Sequence, residues 1–522
     1  MNQLSKLDLE PELVDSCKGL ANDIVRKVIK AIDDKSTVSI ERTIARMLGV
    51  DSATEDDIPY PNILTDHIVK NNAISGGLAF WLGNAMINTG KNPQEIAEMI
   101  DQGQINLVDQ KLNPYEMVHN FMMEESRKAL IRINAIRNGK ECKRAKFGEN
   151  PPPHAYVLTA TGNVYEDVIH AIADANFGGD IVAVLRSTAQ SLLDFVPFGP
   201  TTEGYGGTFA TQENFRIMRK ALDDWAEQNG RYVRLSSFCS GLCMPEIAAM
   251  GALEGLDNMA NDAMYGILYR DINMVRTFID QRFSRMINGY SGTVINTGED
   301  NYLRTADAVD AAHTVVASQM INYYFAKSAG LDDEFIGIGN AFEINPNMKN
   351  GLLYEWAQAQ LTRELFPNCK TKYMPPTKHM HGNIFRTHAA DTLFNLITIA
   401  TKQDIQTIGV PTEGFYTPLI HDRTISLENV KSVFNNAADL YEEIIFKKNG
   451  IIQTRAKEVL RDTYSLLVHI EGSGLFEAIE GGLFGDIKRK INEGKGREGI
   501  FEKDNHYFNP IAELMIKSRH EN

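Results

Sequence analysis

A chain of 522 residues with 43% hydrophobic and 23% charged side chains can hold one large domain with accessory segments, or two or three domains, and has an ordinary globular composition. Its net charge of −15 argues against a nucleic-acid partner, which would need a concentrated basic surface. No apolar stretch reaches the roughly 18 residues of a membrane span, the N-terminus lacks a signal-peptide core, and five cysteines are too few for a disulfide scaffold, so a cytoplasmic protein with reduced thiols is expected.

From Glu12 to Ile32 the apolar residues Leu13, Cys17, Leu20, Ile24, Val28 and Ile32 recur every three or four positions, which places them on one helix face. The first 150 residues read as a mainly helical accessory region. It includes a helical run from Asn92 to Asp101 entered through Pro93, and a charged linker from Asn138 to Glu149. Pro151-Pro152-Pro153 then marks a boundary, because proline cannot continue a helix.

Beyond the prolines, short β-rich runs alternate with longer helical patterns, the signature of parallel βα units. The runs are HAYVLTATG from His154, DIVAVLRS from Asp180, RYVRLSSF from Arg231, DAMYGILYR from Asp262, GTVINTG from Gly292, EFIGIGNAF from Glu334, TKYMPP from Thr371 and DIQTIGVP from Asp404. About eight units in roughly 290 residues fit a closed (β/α)₈ TIM barrel better than a doubly wound sheet. The expected organisation is an α/β fold, with residues 1–150 helical, 154–447 the barrel, and 448–522 a helical and loop extension. The glycine-rich, basic stretch from Glu480 to Gly499 lacks the Gly-Lys-Ser/Thr of a phosphate loop and reads as a surface loop.

In a TIM barrel the active site sits at the carboxyl ends of the strands, and those ends are polar here. They carry Thr161-Gly162-Asn163, Arg186-Ser187-Thr188, Ser237 to Ser240, Tyr269-Arg270-Asp271, Asn296 to Asn301, Asn340 with Glu343, Thr377-Lys378-His379, and Thr412-Glu413. Some of these are helix caps, a position that Ser, Thr, Asn and Asp favour. Arg186, ending the apolar run IVAVL and followed by Ser187, Thr188 and Ser191, makes a phosphate cradle of guanidinium, hydroxyls and helix N-terminal amides. A structural salt bridge is the competing account. Ser240 could add a hydroxyl, and the glycines of FGPTTEGYGGT, from Phe198, either let backbone approach a ligand or form a flexible turn. An aromatic face such as Tyr265 can stack on a planar ring, and Arg270, Asp300, Asn301 and Lys372 offer separated charges and polar groups for the two ends of an amino acid.

Two motifs fall short. Cys239 and Cys243 begin a CxxxCxxC iron–sulfur pattern, but the third position is Glu246. The stretch from Asp504 to Asn509 starts like the Asp-x-His-x-x-Gly of cobalamin binding but lacks the glycine and is followed by only a short tail. A cobalamin ligand would therefore come from another chain. His379, His381 and His388 have no carboxylate at matching helical spacing, so no metal site is expected.

The strings TATGNVYED from Thr159, RSTAQSLLDFVPFGPTTEGYGGTFATQENFR from Arg186, FCSGLCMPEIAAMGA from Phe238, DAMYGILYRDINMVRTFIDQ from Asp262, INTGEDNYL from Ile295 and KYMPPTKHMHGNIF from Lys372 closely resemble the large (alpha) subunits of lysine 5,6-aminomutase. The resemblance spans nearly the whole chain. It implies an isomerase of lysine fermentation that moves the terminal amino group of D-lysine or L-β-lysine from C6 to C5 by a radical mechanism, using pyridoxal 5′-phosphate and adenosylcobalamin. It further implies an α₂β₂ assembly in which a small beta subunit carries the cobalamin domain and the lysine that holds pyridoxal phosphate. By the same resemblance Arg186, Ser187, Thr188, Gln190, Ser191 and Ser240 surround the cofactor phosphate and ring, and Tyr265 stacks on the pyridine. Arg270, Asp300, Asn301 and Lys372 contact cofactor or substrate, the basic groups meeting a carboxylate and Asp300 an ammonium. His379 and His381 fall outside the family pattern. The alternatives are an ornithine 4,5-aminomutase-like barrel, whose large chain carries its own cobalamin domain, and a catalytically silent scaffold subunit.

Overall fold

The computed structural model describes residues 5–185, 189–298, 308–340, 345, 347–380, 382–413 and 418–520. The helices before the barrel are α1 (Pro11–Ile32), α2 (Val38–Met47), α3 (Tyr60–Lys70), α4 (Gly77–Thr89), α5 (Pro93–Asp101) and α6 (Tyr115–Phe147), with the short strand β1 (Lys35–Thr37) between α1 and α2. The periodicity of α1 is realised as expected: Cys17, Ala21, Ile24, Val25, Val28 and Ile32 are buried on one face. At α5 the Asn92 side chain accepts from the Glu95 amide while the Glu95 carboxylate accepts from the Asn92 amide, a capping box over a helix entered through Pro93.

Eight parallel strands close into a barrel in chain order, β2 (His154–Leu158), β3 (Ile181–Leu185), β4 (Arg234–Phe238), β5 (Asn258–Ala260), β6 (Val294–Thr297), β7 (Ile336–Asn340), β8 (Lys370–Tyr373) and β9 (Ile405–Thr407). The barrel helices are α7 (Val164–Asn176), α8 (Gln212–Asn229), α9 (Met244–Glu254), α10 (Ala263–Arg270), α11 (Met274–Tyr290), α12 (Ala308–Ser328), α13 (Gly351–Leu365), α14 (Ile384–Ala400) and α15 (Ile420–Asn436). After them come α16 (Leu440–Glu443), α17 (Ile451–Ser473), α18 (Leu475–Gly481), strand β10 (Ile500–Glu502) and α19 (Pro510–His520). Among the described residues no helix is long and apolar enough to cross a membrane.

The barrel is the one expected, with one strand displaced. The stretch from Asp262 to Arg270, read as the fourth strand, is helix α10 with Asp262 as its cap, and the strand is the preceding Asn258–Ala260. The aromatic and β-branched content of DAMYGILYR mimics a strand. Its buried residues Met264, Ile267 and Leu268 nevertheless follow helical spacing, and the Asp262 side chain accepts from the Met264 amide. The charged linker expected from Asn138 to Glu149 is also helical as far as Phe147. Its charges are used locally: Lys140 is buried and donates to the carbonyl of Leu256 at 2.7 Å, and Arg144 pairs with Glu149.

The chain before the barrel and the chain after it meet. β1 pairs antiparallel with β10, matching Lys35 to Glu502, Ser36 to Phe501 and Thr37 to Ile500, and α17 packs on α1, α12 and α13. The motif that begins like a cobalamin signature lies here. Tyr507 donates to Glu41 at 3.1 Å and bonds the Ser36 hydroxyl at 2.8 Å, while the His506 ring lies 4.8 Å from that of Phe80. The glycine-rich segment is the surface loop expected, and it is docked on the barrel. Arg489 donates to the carbonyls of Ile267 and Leu268 in α10, Lys495 N–H donates to the Asp271 carbonyl, and Asn273 donates to Ile491 and Glu493. At Gly494 a Cβ would stand 2.9 Å from the Asn273 backbone nitrogen, so a side chain there would hold this strap off the barrel.

Candidate active site

Alternation along the strands decides which side chains enter the barrel. Ala155 and Val157 of β2 pack outward with Leu427 and Val430 of α15, whereas Tyr156, Ile181, Ala183 and Ile405 cluster inside. The Tyr156 hydroxyl reaches the Ser236 hydroxyl at 3.1 Å, and the Lys372 ammonium lies 4.9 Å from the centre of the Tyr156 ring. These residues sit on strands separated by another strand, so they meet across the interior. Lys372 is only 3% exposed. Met259 and Ile295 join the outer core, which turns Asn258, Asn296 and, by the same alternation, Thr407 inward. All three are buried, and both amide atoms of Asn258, the amide nitrogen of Asn296 and the Thr407 hydroxyl have no hydrogen-bond partner among the described residues. A barrel interior of this polarity suits a polar ligand, because each unpaired buried group otherwise costs about 1–3 kcal/mol.

At the strand ends, backbone packing assembles the loops. Gly241 has φ +90°, and a Cβ there would stand 2.4 Å from the Ser191 Cα and 2.5 Å from the Ser191 carbonyl oxygen. Only glycine permits that approach. It lets Leu242 N–H donate to the Ser191 carbonyl at 3.1 Å, so the segments carrying Ser191 and Ser240 touch. Gln190 places both ends of its amide on the backbone of Ala210, donating to its carbonyl at 2.8 Å and accepting from its N–H at 2.7 Å. A fastening role for Gln190 therefore stands beside the cofactor contact that the resemblance implies. The FGPTTEGYGGT glycines pack against the loop after β2: a Cβ on Gly204 would stand 2.0 Å from the Gly207 carbonyl oxygen and 3.0 Å from the Gly162 Cα. Asp167 accepts from the Thr161 amide and the Thr208 hydroxyl, and that hydroxyl accepts from the Gly162 amide, which locks the two loops together.

Tyr265 and Arg270 lie on α10, and that helix packs against the turn holding Gln190 and Ser191. Arg270 donates to the Tyr265 hydroxyl, and its guanidinium is 5.1 Å from the ring centre. Asp262, which caps α10, also accepts from the Gly298 amide at 2.7 Å and so ties the helix to the end of β6. Sequence reading missed Asp262, Tyr156 and Ser236 because a cap and two strand residues have no separate signature. Arg186, Ser187, Thr188, Asp300, Asn301 and His381 lie outside the described residues. His379 falls in a half-buried turn after β8, and His388 bonds the Asn429 amide.

The cysteines near this site are structural. Burial pushes the Cys239 thiol up to about 12 and raises the Cys243 thiol well above its ordinary range, and Cys243 donates to the Leu193 carbonyl at 3.2 Å. Glu246, in the third position of the abortive cysteine motif, is fully buried between Arg42 and Arg46, accepting from each at 2.7 Å.

The family model described as the D-lysine 5,6-aminomutase TIM-barrel domain of the alpha subunit matches residues 7–514. The chain is 53% identical over 514 residues to the lysine 5,6-aminomutase alpha subunit of Fusobacterium nucleatum subsp. nucleatum, covering 98% of this chain and 99% of that one. It is 51% identical over 512 residues to the alpha subunit of the same name from Acetoanaerobium sticklandii, again with 98% and 99% covered. The D-ornithine 4,5-aminomutase subunit beta of A. sticklandii is more distant, at 29% identity over 383 residues, which are 70% of this chain and 51% of that one.

Proposed function

Because the chain belongs to the family of lysine 5,6-aminomutase alpha subunits, aminomutases and hence isomerases, we propose that it is the barrel subunit of an enzyme that moves the terminal amino group of D-lysine or L-β-lysine from C6 to C5 in lysine fermentation. The observation that carries this reading is the meeting of the Ser191 and Ser240 segments beneath the helix that bears Tyr265 and Arg270, at the mouth of a barrel with Lys372 inside. Its partner is a small cobalamin-binding beta subunit, in an α₂β₂ assembly, in the cytoplasm.

The donor set suits pyridoxal 5′-phosphate. Ser191 and Ser240, with Arg186, Ser187 and Thr188, offer hydroxyls and a guanidinium to a phosphate, and the Gly241 contact leaves no room for a side chain that would part the two segments. Tyr265 offers an aromatic face to a planar ring, and Arg270 anchors the side chain by donating to its hydroxyl. When bound, pyridoxal phosphate supplies a conjugated system that carries the migrating nitrogen, and adenosylcobalamin supplies a radical that takes hydrogen from the neighbouring carbon. This chain contributes positioning. Lys372 and Arg270 hold the substrate carboxylate, Asp300 a substrate ammonium, and Asn301 the cofactor. Tyr156, Ile181, Ala183 and Ile405 form an apolar cluster inside the barrel that limits the space open to water.

The test is turnover by the chain purified with its small subunit and supplied with both cofactors. D-lysine or L-β-lysine is converted to the 5-amino isomer, while D-ornithine is a poor substrate. Turnover of D-ornithine alone would favour the ornithine reading. Cofactor binding with no turnover of any diamino acid would leave a scaffold.

A further inference from the structure

Asp194 lies three residues beyond Ser191, and its carboxylate is gripped by two buried guanidiniums from distant parts of the chain. Arg276 of α11 donates to Oδ2 at 3.0 Å and to Oδ1 at 2.7 Å, and Arg42 of α2 donates to Oδ1. Arg42 is 2% exposed and Arg276 0%. Asn62 of α3 donates to the Asp194 carbonyl at 3.2 Å. Arg276 also donates to the carbonyls of Leu242 at 3.1 Å and Gly496 at 3.0 Å, and its Nε reaches Asp280 at 3.2 Å. One guanidinium thus holds the turn after Ser191, the loop after Ser240 and the C-terminal strap.

Burial alone would push the Asp194 carboxyl up, but Arg42 and Arg276 draw it down to about 2, so it is ionised throughout the working range. Three guanidiniums, Arg42, Arg46 and Arg276, face the carboxylates of Asp194, Glu246 and Asp280, and Arg46 also lies 3.9 Å from the more exposed Asp51. An ionised carboxylate this close to a phosphate site opposes the anion by its charge. What it can contribute is geometry.

We infer that Asp194 is a positioning residue for the cofactor phosphate, acting through the turn that carries Ser191, with Arg42 and Arg276 as its anchors. This rests on the reading that the site takes pyridoxal 5′-phosphate. The sign of the effect separates geometry from charge. Removing a negative charge should favour a nearby phosphate, whereas loosening the turn should disfavour it.

The experiment titrates pyridoxal 5′-phosphate and, separately, pyridoxal into the chain purified with its small subunit, in wild-type and Asp194→Asn forms, followed by absorbance. The expected result is roughly tenfold weaker binding of the phosphate ester in the variant, with pyridoxal changed by less than about twofold. A general structural role would weaken both alike or neither. An equal loss for both compounds, or tighter binding of the phosphate ester, overturns the inference while leaving the cofactor reading intact. Failure of the wild-type complex to bind pyridoxal 5′-phosphate overturns that reading and the inference with it. Should Asp194→Asn not fold, Asn62→Ala removes only the bond to the Asp194 carbonyl. It should show a smaller selective loss for the phosphate ester, and its absence counts against the inference.

Discussion

Arg270 donates to the Tyr265 hydroxyl from the far end of the same short helix, and its guanidinium stands 5.1 Å from the centre of that ring. The pairing anchors the end of the side chain, because swinging Tyr265 to another χ1 well would break a charge-assisted bond in a half-buried place.

If that ring stacks on a cofactor, its face matters more than the hydroxyl. Tyr265→Phe keeps the face and should retain pyridoxal phosphate to within about threefold, whereas Tyr265→Ala should weaken retention roughly tenfold or more. Cofactor absorbance after gel filtration is the measurement. Wild-type retention by the alanine variant would remove Tyr265 from the site.

Lys372 presents a buried charge inside the barrel next to Tyr156. Lys372→Met keeps the volume and deletes the charge. A charge-assisted contact of about 1.5–3 kcal/mol to a substrate carboxylate corresponds to a KM higher by roughly 10- to 100-fold. Cofactor retention should be unchanged. A variant with ordinary KM and poor cofactor retention would reassign Lys372 to the cofactor.

Gly241 allows two loops to touch at a distance no Cβ tolerates. In Gly241→Ala a positive-φ backbone and a Cβ standing only 2.4 Å from the Ser191 Cα combine, at an expected cost of about 3 kcal/mol. Thermal unfolding should shift down by several degrees and pyridoxal phosphate should bind more weakly, since the two serine segments part. An unchanged melting temperature would mean that the loops yield without cost.

Glu41 is fully buried, and burial raises its carboxyl from 4.5 to about 7 despite bonds from the Leu78 amide, Tyr507 and Ser36 and the attraction of Lys503. The folded protein therefore keeps a proton that the unfolded chain releases. Stability from this group is fully present below pH 4.5 and is lost as pH rises to about 7, by about 3 kcal/mol in all. Asp174, raised to about 7, and Asp280, raised to about 6, titrate in the same window, so the readout is wild type minus Glu41→Gln. The variant should lose less stability than wild type between pH 5 and 7 by urea unfolding. Parallel curves would place the titration elsewhere.

The barrel was legible in the residues because short β-rich runs alternating with helical periods leave few architectures open, and IVAVL from Ile181 or VINT from Val294 reads as a strand without help from its neighbours. The strand Asn258–Ala260 was not, since three residues with no β-branched side chain carry almost no local signal. Its neighbours β4 and β6 hold it by hydrogen bonding, while the richer sequence beside it became helix α10 through the Asp262 cap. In the candidate site, strand-end position and family resemblance together singled out Ser191, Ser240, Tyr265, Arg270 and Lys372.

Apart from β5, element type is thus determined locally, by periodicity, caps and turns along the chain. The supports of the site are not. Arg42 and Arg276 reach Asp194 across 152 and 82 residues of sequence, and Arg489 reaches the carbonyl of Ile267 across 222. No spacing rule connects such partners. Each is an arginine or an aspartate of ordinary appearance until folding removes water from around it, and only then does a buried charge require its counter-charge at hydrogen-bond distance.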